Sequence, residues 1–482
     1  MPPIWCSAAR TRPKRACSNA RTKPDSLRAC SALSLADAGI DLVALPVSVQ
    51  RGVILVASTT LQICLGTVYA WSFFQTLLVR ELGWSFTDTA WAFSITIFTL
   101  GIAAAIGGAL LPKLGPRRLA IAGALLFSAG YLIGSFALQV DNLLLFFIGY
   151  GVIGGLGIGF GYVTPVATTA KWFPDHKGLA TGIVVMGFGV GAFLLSKVLA
   201  PLLVVRSDGD LAMVFLSLGV LFAAVLIPSA AVLVDPPESA APGQASPATD
   251  ALDRATVGEC LRSPEFAFMW LVFFFNIAAG ISVISFQSAL LQDVWGLADA
   301  TLEPEVLAQY GATLIAVSSL CNGVGRLVWG YLSDRIGRVR IFRVLLASQM
   351  VVFGVLMTET NPWVFSGLVC YVLLCFGGGF ATMPSFVVDV FGSRRMSVIY
   401  GALLTAWAAA GVFGPLYVGY LKDQHPDRAV IYCFLIGVFL LSLGFVFTYL
   451  LNDERIRLGK PTLAETLAQL GIHLPQGSSA KT

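Results

Sequence analysis

The sequence predicts an all-α integral membrane protein, in which twelve transmembrane helices form two pseudo-symmetric six-helix bundles around a central cavity. Composition gives the first reason, because 56% of the 482 residues are hydrophobic and 12% are charged, with a mean hydropathy of +0.80. A soluble protein carries about 25% charged residues, so this chain cannot cover a water-exposed surface. The second reason is a succession of apolar runs long enough to cross a bilayer, and the third is a repeat that relates the two halves.

Residues 1–50 precede the apolar runs and differ from them in composition. Seven lysines and arginines occur there among serine, alanine, cysteine and proline, without a long apolar run. Such a segment is typical of a disordered cytoplasmic tail or an over-extended translation start, which is the interpretation that we favour. Two alternatives stay open: an organelle transit peptide, which is also rich in arginine and poor in acidic residues, and a functional basic arm.

Apolar runs separated by turn residues begin after Arg51. A transmembrane helix needs about 20 predominantly apolar residues. On this basis we place twelve spans at about 53–75, 88–111, 119–138, 143–170, 179–203, 211–234, 266–291, 308–332, 341–359, 363–388, 397–420 and 428–451.

A segment rich in proline, alanine and serine, residues 235–265, separates the sixth span from the seventh. This composition predicts a cytoplasmic linker. The linker divides the membrane part into an N-terminal six-helix bundle at 51–234 and a C-terminal six-helix bundle at 266–455. Residues 456–482 then form a cytoplasmic C-terminal tail.

The distribution of lysine and arginine among the loops predicts the orientation. Cytoplasmic loops of membrane proteins carry an excess of these residues, and one set of alternate loops holds most of them here. With the N-terminus inside, the inner loops hold Lys113, Arg117, Arg118, Lys171, Lys177, Arg254, Arg262, Arg335, Arg338, Arg340, Arg394 and Arg395, against Arg80, Arg206, Lys422 and Arg428 outside. We therefore expect both termini in the cytoplasm, and a plasma membrane, such as the bacterial inner membrane, as the location.

Glycine and proline positions recur between the two halves. Each half has a pair of glycines seven residues apart, and a proline and glycine seventeen residues apart. The positions are Gly108, Gly115, Pro165 and Gly182 in the first half, and Gly330, Gly337, Pro384 and Gly401 in the second. A parallel repeat of six helices is typical of transporters that bind their substrate between two rocking halves. Chance coincidence in glycine-rich helices is the alternative.

Several function classes lack their signals in this sequence. The nine cysteines include no C-x-x-C pair, the three histidines fall in polar segments, and no phosphate-binding G-x-x-x-x-G-K-[ST] occurs. We therefore predict no metal, no cofactor and no ATP-driven pumping, and the net charge of +4 gives no indication of nucleic acid. The spans hold no constellation of nucleophile and base that would indicate an enzyme, and the C-terminal tail is short for a transporter-derived sensor.

One arginine lies deep in a predicted span. Arg326 precedes Asp334, at the end of the eighth span, by eight residues, or about 12 Å of helix. An arginine at that depth costs at least about 2.5–3.5 kcal/mol without a partner or water. No acidic partner is evident in the sequence, so we expect Arg326 to bind a substrate carboxylate, whose two oxygens match its planar fork. The alternative is a bracing role, with bonds to helix carbonyls or to Asn322 one turn away.

Aromatic and polar residues at helical spacing are further candidates for lining the cavity. Gln62 and Tyr69 lie on one face of the first span, and Tyr400 and Trp407 have the same spacing in the eleventh. The predicted lining is completed by Asn322, by Tyr162 beside Pro165, and by Phe380 beside Pro384. Ordinary helix packing or an interfacial aromatic belt is the alternative for each of them.

Specific motifs carry a family resemblance. The stretch from Gly330 to Arg338, GYLSDRIGR, matches the G-x-x-x-D-R-x-G-R loop signature of the major facilitator superfamily, and the copy that begins at Gly108 is degenerate and lacks the Asp. Within that superfamily, Val68–Ser72 (VYAWS), the run from Gly161 to Pro174 and Lys177–Gly182 (KGLATG) resemble the oxalate/formate antiporter family and, more distantly, monocarboxylate transporters. The resemblance covers residues 51 to 455 and leaves out both tails.

This resemblance implies a transporter of small organic anions that works by alternating access. In the family, an arginine of the eighth span contacts the substrate carboxylate, and Arg326 is the matching position. The family also has an aromatic cage around its substrate, which supports Tyr69 and Tyr162 as lining residues. The family's oxalate carrier has a second basic residue in the eleventh span, where residues 405–414 have no Lys or Arg and Trp407 takes that place. One buried positive charge balances one carboxylate, which favours a monocarboxylate such as formate, lactate, pyruvate or a related acid.

The loop signature supplies candidate gating residues. Asp334, Arg335 and Arg338, with Gly330 and Gly337, could bias the inward- or outward-facing state through charge contacts at helix ends. The alternative is that these charges only set topology.

Coupling and partners follow from the same residues. We find no carboxylate or histidine in the central parts of the spans that could carry a proton, which favours an exchanger or a uniporter. The open alternatives are an oxalate or other dicarboxylate antiporter, a proton-coupled monocarboxylate symporter, and a carrier of a neutral or cationic solute. The expected partners are the anion and the lipid bilayer, with a monomer as the transport unit.

Overall fold

A computed structural model describes residues 46–173, 177–237, 256–299, 301–392 and 395–451, without the side chains of 177–179. The bulk of the tail predicted at 1–50, most of the linker predicted at 235–265, and the tail predicted at 456–482 lie outside the described residues. Within these ranges the chain is helical and has no strand.

In the part of the chain that the structure describes, twelve helices are long and apolar enough to cross a membrane, which confirms the predicted fold class. We label them α1 to α12 in chain order: Val47–Leu82, Phe86–Leu114, Pro116–Gln139, Leu143–Trp172, Ala180–Arg206, Leu211–Ala231, Pro264–Ala298, Pro304–Ile336, Arg338–Leu356, Pro362–Phe391, Met396–Gln424 and Pro426–Leu450. A short helix, Val257–Arg262, lies in the segment predicted as a linker.

Helix packing follows the predicted pseudo-symmetry. Inside the first half the main helix contacts are α1 with α5, α2 with α4, and α3 with both α4 and α6. Inside the second half α7 packs on α11, α8 on α10, and α9 on α12. The contacts between halves, α2 with α11 and α5 with α8, are also equivalent under this relation. The interface between the halves is therefore built from α2, α5, α8 and α11.

Local sequence explains where the helices begin and end. Ser85 and Asp88 form a reciprocal capping box at the start of α2, and proline occupies the first turn of several helices, where its missing N–H is not needed. Gly115 and Gly337 end α2 and α8 with φ of 77° and 101°. Residues that carry a side chain rarely adopt a positive φ. This explains why glycine occupies both positions of the repeated loop.

Two helices are interrupted at or near residues that the sequence predicts to line the cavity. In α1 the α-helix Val47–Gly66 is followed by a 3₁₀ turn, Thr67–Ala70, before Trp71–Leu82 continues the span. In α11 the helix breaks at Leu404. Tyr69 lies in the first of these irregular turns, and Trp407 follows the second by three residues. These breaks lie on opposite halves of the protein.

Gly191 allows α5 to pack closely against α1, and its substitution tests this contact. A Cβ at Gly191 in α5 would collide with the backbone of Ile63 in α1. We expect Gly191→Ala to destabilise the protein by about 1–3 kcal/mol, the usual cost of overpacking, and to lower the midpoint of thermal unfolding in detergent.

Gly367→Ala is the matched control, because no atom lies within 4 Å of its added Cβ and alanine favours a helix over glycine. Its midpoint should stay the same or rise. An equal loss in both variants would contradict the packing of α5 against α1.

Candidate functional site

The guanidinium of Arg326 is buried at the interface between the halves without an acidic partner. The residue is 1% exposed, and its Nε donates a weak hydrogen bond to Asn322 Oδ1 at 3.4 Å. Nη1 and Nη2 have no hydrogen-bond partner. Among the described residues, the salt bridges involve other arginines and lysines. Bracing by Asn322 therefore satisfies one of the three guanidinium nitrogens.

Two aromatic rings lie near this cation, one from each half. The Cζ atom of Arg326 is 5.1 Å from the ring centroid of Phe380 in α10 and 5.8 Å from that of Phe188 in α5. A cation over an aromatic face gains about 0.5–1 kcal/mol, and about 2 kcal/mol where water is excluded. The rings offset part of the cost of burying the charge, and they leave its outer N–H groups unpaired.

An aromatic cage of packed rings lies beside the arginine, and one of its members, Phe380, also lines the cavity described below. We use this name for six residues whose ring centroids lie 4.8 to 6.2 Å from those of their neighbours: Tyr69, Tyr162 and Phe188 from the first half, and Phe376, Phe380 and Trp407 from the second. Phe188 and Phe376 are the two members that the sequence analysis missed. The signal for Phe188 is its place between Gly187 and Gly189, whose missing side chains bring α5 close to α1 and α8.

The structure places the other predicted lining residues around the cage. Tyr400 is buried in α11, and its hydroxyl is near enough to Tyr162 and Arg326 to interact with them electrostatically. The Nε2 of Gln62 donates to the backbone oxygen of Tyr162 at 3.0 Å, while its Oε1 has no partner. Gln62 thus fixes α4 behind the cage. All eight predicted residues are at most 1% exposed.

The cage offers hydrogen-bond donors to a ligand. In addition to Nη1 and Nη2 of Arg326, the Tyr69 and Tyr162 hydroxyls and the indole Nε1 of Trp407 are buried without a hydrogen bond of normal geometry, although the Tyr69 hydroxyl lies near Arg326 and the Tyr162 hydroxyl near that of Tyr400. Buried polar groups are normally hydrogen-bonded. Unpaired donors and one positive charge, surrounded by aromatic faces, suit a small anion that has an apolar part.

A cavity of about 350 Å³ connects Arg326 to one end of the helices. Its walls come from α4, α5, α8 and α10: Val166, Thr181, Gly182, Val185, Arg326, Leu327, Gly330, Tyr331, Asp334, Phe380, Ala381, Pro384 and Ser385. The repeated small residues Gly182 and Gly330 therefore face this space. Asp334, which is close to the end of α8, is among these lining residues. The cavity therefore extends toward the loop that joins α8 to α9.

The loop residues predicted to act in gating make charge contacts at that end. Arg338 binds Asp334 at 2.6 Å and Asp389 at 3.2 Å, and it also donates to the hydroxyl of Ser333. Arg335 lies over the ring of Tyr331 at 4.5 Å. All of these residues belong to the second half. The sequence analysis missed Asp389 as a partner of Arg338, because it lies 51 residues further along the chain.

Comparison with known proteins gives one family and several relatives. Residues 56–415 match the Major Facilitator Superfamily. The oxalate:formate antiporter of Oxalobacter formigenes is 28% identical over 72% of this chain and 79% of that protein. The apicoplast pyruvate carrier 1 of Toxoplasma gondii is 28% identical over 68% of each chain. Human monocarboxylate transporter 11 is 25% identical over 77% of this chain and 78% of its own length.

Solved structures show the same fold. A bacterial homologue of the human lysosomal transporter Spinster, in an inward-facing and unoccupied conformation, matches with a TM-score of 0.61 and 16% identity. The match covers 86% of this chain and 99% of that one.

An unpaired buried charge should destabilise the empty protein, and Arg326→Met tests this. Methionine keeps much of the side-chain volume and removes the charge, whose burial costs at least about 2.5–3.5 kcal/mol without a partner. We expect the substrate-free variant to unfold at a higher temperature than the wild type in detergent.

Arg338→Met is the comparison, because that arginine is paired with Asp334 and Asp389. It should unfold at a lower temperature than the wild type. If Arg326→Met lost as much stability as Arg338→Met, Arg326 would have a structural partner and the site would not be vacant.

Proposed function

Because this chain belongs to the Major Facilitator Superfamily, we propose that it is a secondary transporter for a small organic anion, a monocarboxylate such as formate, lactate, pyruvate or a related acid. Its membership in this family and its twelve apolar helices make it a multi-pass integral membrane protein. One observation carries the choice of an anion. Arg326 is buried between the halves, has two unpaired nitrogens, and is reached by the cavity.

The cage suits one carboxylate and a short apolar substituent. A carboxylate can accept two parallel N–H bonds from a guanidinium, and such charge-assisted bonds are about twice as strong as neutral ones. The hydroxyls of Tyr69 and Tyr162 lie nearby and lack a hydrogen bond of normal geometry. The aromatic faces of Phe380 and Trp407, whose centroids are 4.8 Å apart, would then contact the apolar end of the acid.

Charge balance favours a monocarboxylate over a dicarboxylate. Among the described residues, Arg326 is the one cation that lines the cavity, and Trp407 packs against Phe380 at its wall. A second carboxylate there would be desolvated without a positive partner, which is costly. The names of the pyruvate carrier and the monocarboxylate transporter agree with this choice, whereas the name of the oxalate:formate antiporter includes both a dicarboxylate and a monocarboxylate. An oxalate carrier is therefore the second candidate.

The unpaired nitrogens of Arg326 also favour exchange. In alternating access the carrier returns either loaded with a second anion or empty. An empty return closes the protein around an unpaired guanidinium, whereas a loaded return closes it around a neutralised pair. Exchange of one carboxylate for another should therefore be faster than net uniport.

The orientation follows from the loop charges. The Asp334 end, where the cavity leads, would face the cytoplasm together with both termini, and the conformation described here would be open toward that side. A plasma membrane and a monomeric transport unit complete the proposal.

Counterflow in proteoliposomes tests the substrate and the role of Arg326. We expect labelled monocarboxylate to enter faster when the vesicles contain unlabelled monocarboxylate. Formate, lactate or pyruvate should compete with it, and oxalate, neutral sugars and organic cations should compete poorly. Loss of two charge-assisted hydrogen bonds, worth about 1.5–3 kcal/mol each, predicts that Arg326→Ala reduces saturable uptake at least a hundredfold.

Arg343→Ala is the matched control, because this arginine lies in α9 against Tyr449 and the backbone of Thr448. Its uptake should remain near that of the wild type. Saturable uptake that is unchanged in Arg326→Ala would contradict the anion site, and strong competition by oxalate would favour the second candidate.

A further inference from the structure

Asp423, at the end of α11, binds the first residues of α2 in the other half. Its Oδ1 accepts a hydrogen bond from the backbone N–H of Phe86 at 3.2 Å, and its Oδ2 accepts one from Thr87 N at 2.9 Å. The hydroxyl of Thr87 donates to the same carboxylate. Three bonds to one side chain therefore join the two halves at this point.

These donors are available because the internal cap of α2 leaves them free. Ser85 accepts from the N–H of Asp88, and the Asp88 carboxylate accepts from Ser85 N. The first N–H groups of a helix have no partner inside the helix, and its N-terminus attracts negative charge. Asp423 supplies both the acceptor oxygens and the charge, and it does so only while the halves are together.

The neighbouring residue adds a second contact. The Nζ of Lys422 binds both carboxylate oxygens of Asp293 in α7, at 2.7 and 2.6 Å. The same nitrogen lies 5.0 Å from the ring centroid of Phe86. Lys422 and Asp293 belong to the second half, so their ion pair fixes the end of α11 and presents Asp423 to α2.

This contact lies at the membrane side opposite the cavity mouth. Consecutive spans run in opposite directions, so the start of α2 and the end of α11 share one side, together with the start of α8. Asp334, where the cavity leads, is at the end of α8 and therefore on the other side. On the Asp423 side, Lys197 also donates to Thr313 across the halves at 2.7 Å, and the N–H of Ser288 donates to Ser72 at 3.1 Å.

At the cavity mouth, the charge contacts named here among the described residues do not join one half to the other. Arg338 binds Asp334 and Asp389 in the second half, and Lys171 of the first half binds Asp235, the first residue of the segment predicted as a linker, at 2.7 Å. Among the described residues, polar bonds thus cross between the halves on the Asp423 side, whereas the charge contacts named at the cavity mouth do not.

We propose that Asp423 is a latch that holds the halves together on the side opposite the cavity mouth, and that its release from the α2 N-terminus opens that side. The proposal rests on alternating access as the mode of transport. Asp423 and the α2 donors lie at the exposed end of the helices. When the halves separate, water can replace each partner, which makes the latch reversible.

Reversible cross-linking tests the latch. The experiment uses Thr87→Cys with Asp423→Cys in a chain whose native cysteines are replaced by serine or alanine, reconstituted in proteoliposomes. Oxidation should join the two thiols and abolish counterflow of labelled lactate, and reductant should restore it. A complete cross-link that leaves transport unchanged, or two thiols that never react, would overturn the proposal.

Asp293→Cys with Lys422→Cys is the matched control, because this pair lies at the same end and inside one half. Its cross-link should leave transport at the level of its own reduced form. Equal inhibition by both cross-links would mean that any bond at this end stops the protein, and the latch would lose its support.

A second measurement needs no substrate. Ser288→Cys is buried beside Ser72 on the latched side, and a membrane-impermeant maleimide should label it several-fold faster when Asp423→Ala is added. Asp427→Ala, which removes an exposed carboxylate near the same helix end, should leave the labelling rate unchanged. No increase with Asp423→Ala would contradict the latch, whereas increased labelling without any carboxylate uptake would overturn the proposed substrate and leave the latch standing.

Discussion

The burial of one guanidinium without a counter-ion among the described residues is the constraint on which the central part of this protein depends. Arg326 is held in α8 where lipid cannot neutralise it and where Asn322 satisfies one nitrogen. The aromatic faces of Phe188 and Phe380 offset part of the free energy that burial of this charge costs. Since one ring comes from each half, the charge itself lies at the boundary between the halves.

Close packing of backbones makes this arrangement possible. Gly66 of α1 lies against the backbone of Phe188, and Gly189 of α5 lies against the backbone of Ser319 and Gly323 in α8. A side chain at either glycine would push α5 outward and move Phe188 away from the arginine. In the second half Gly377 lies against Asn322, which holds α10 and Phe380 near the same point. The many glycines of these helices therefore determine the distance between the cage and the charge.

The fold was largely predictable from the sequence, and the composition of the cage only in part. Arg326 stands out in the sequence because a charge in an apolar run is rare. Tyr69 and Trp407 follow from helical spacing, and Tyr162 from its position beside Pro165. The flanking glycines are the one signal for Phe188, because it is otherwise one of 33 phenylalanines and its contact with Arg326 joins distant parts of the chain. Asp423 was missed because an acidic residue at a helix end is ordinary. The short helix at Val257–Arg262 was predictable, because Thr256 and Glu259 form a capping box of the kind that marks helix starts.

The most direct test of the account is a structure of the protein determined in lipid with a bound monocarboxylate such as lactate. We expect the two carboxylate oxygens within about 2.7–2.9 Å of Nη1 and Nη2 of Arg326, the distance of charge-assisted bonds, with the rest of the acid against the aromatic cage. An acid bound elsewhere, or an Arg326 already paired with an acidic side chain of the protein, would contradict it.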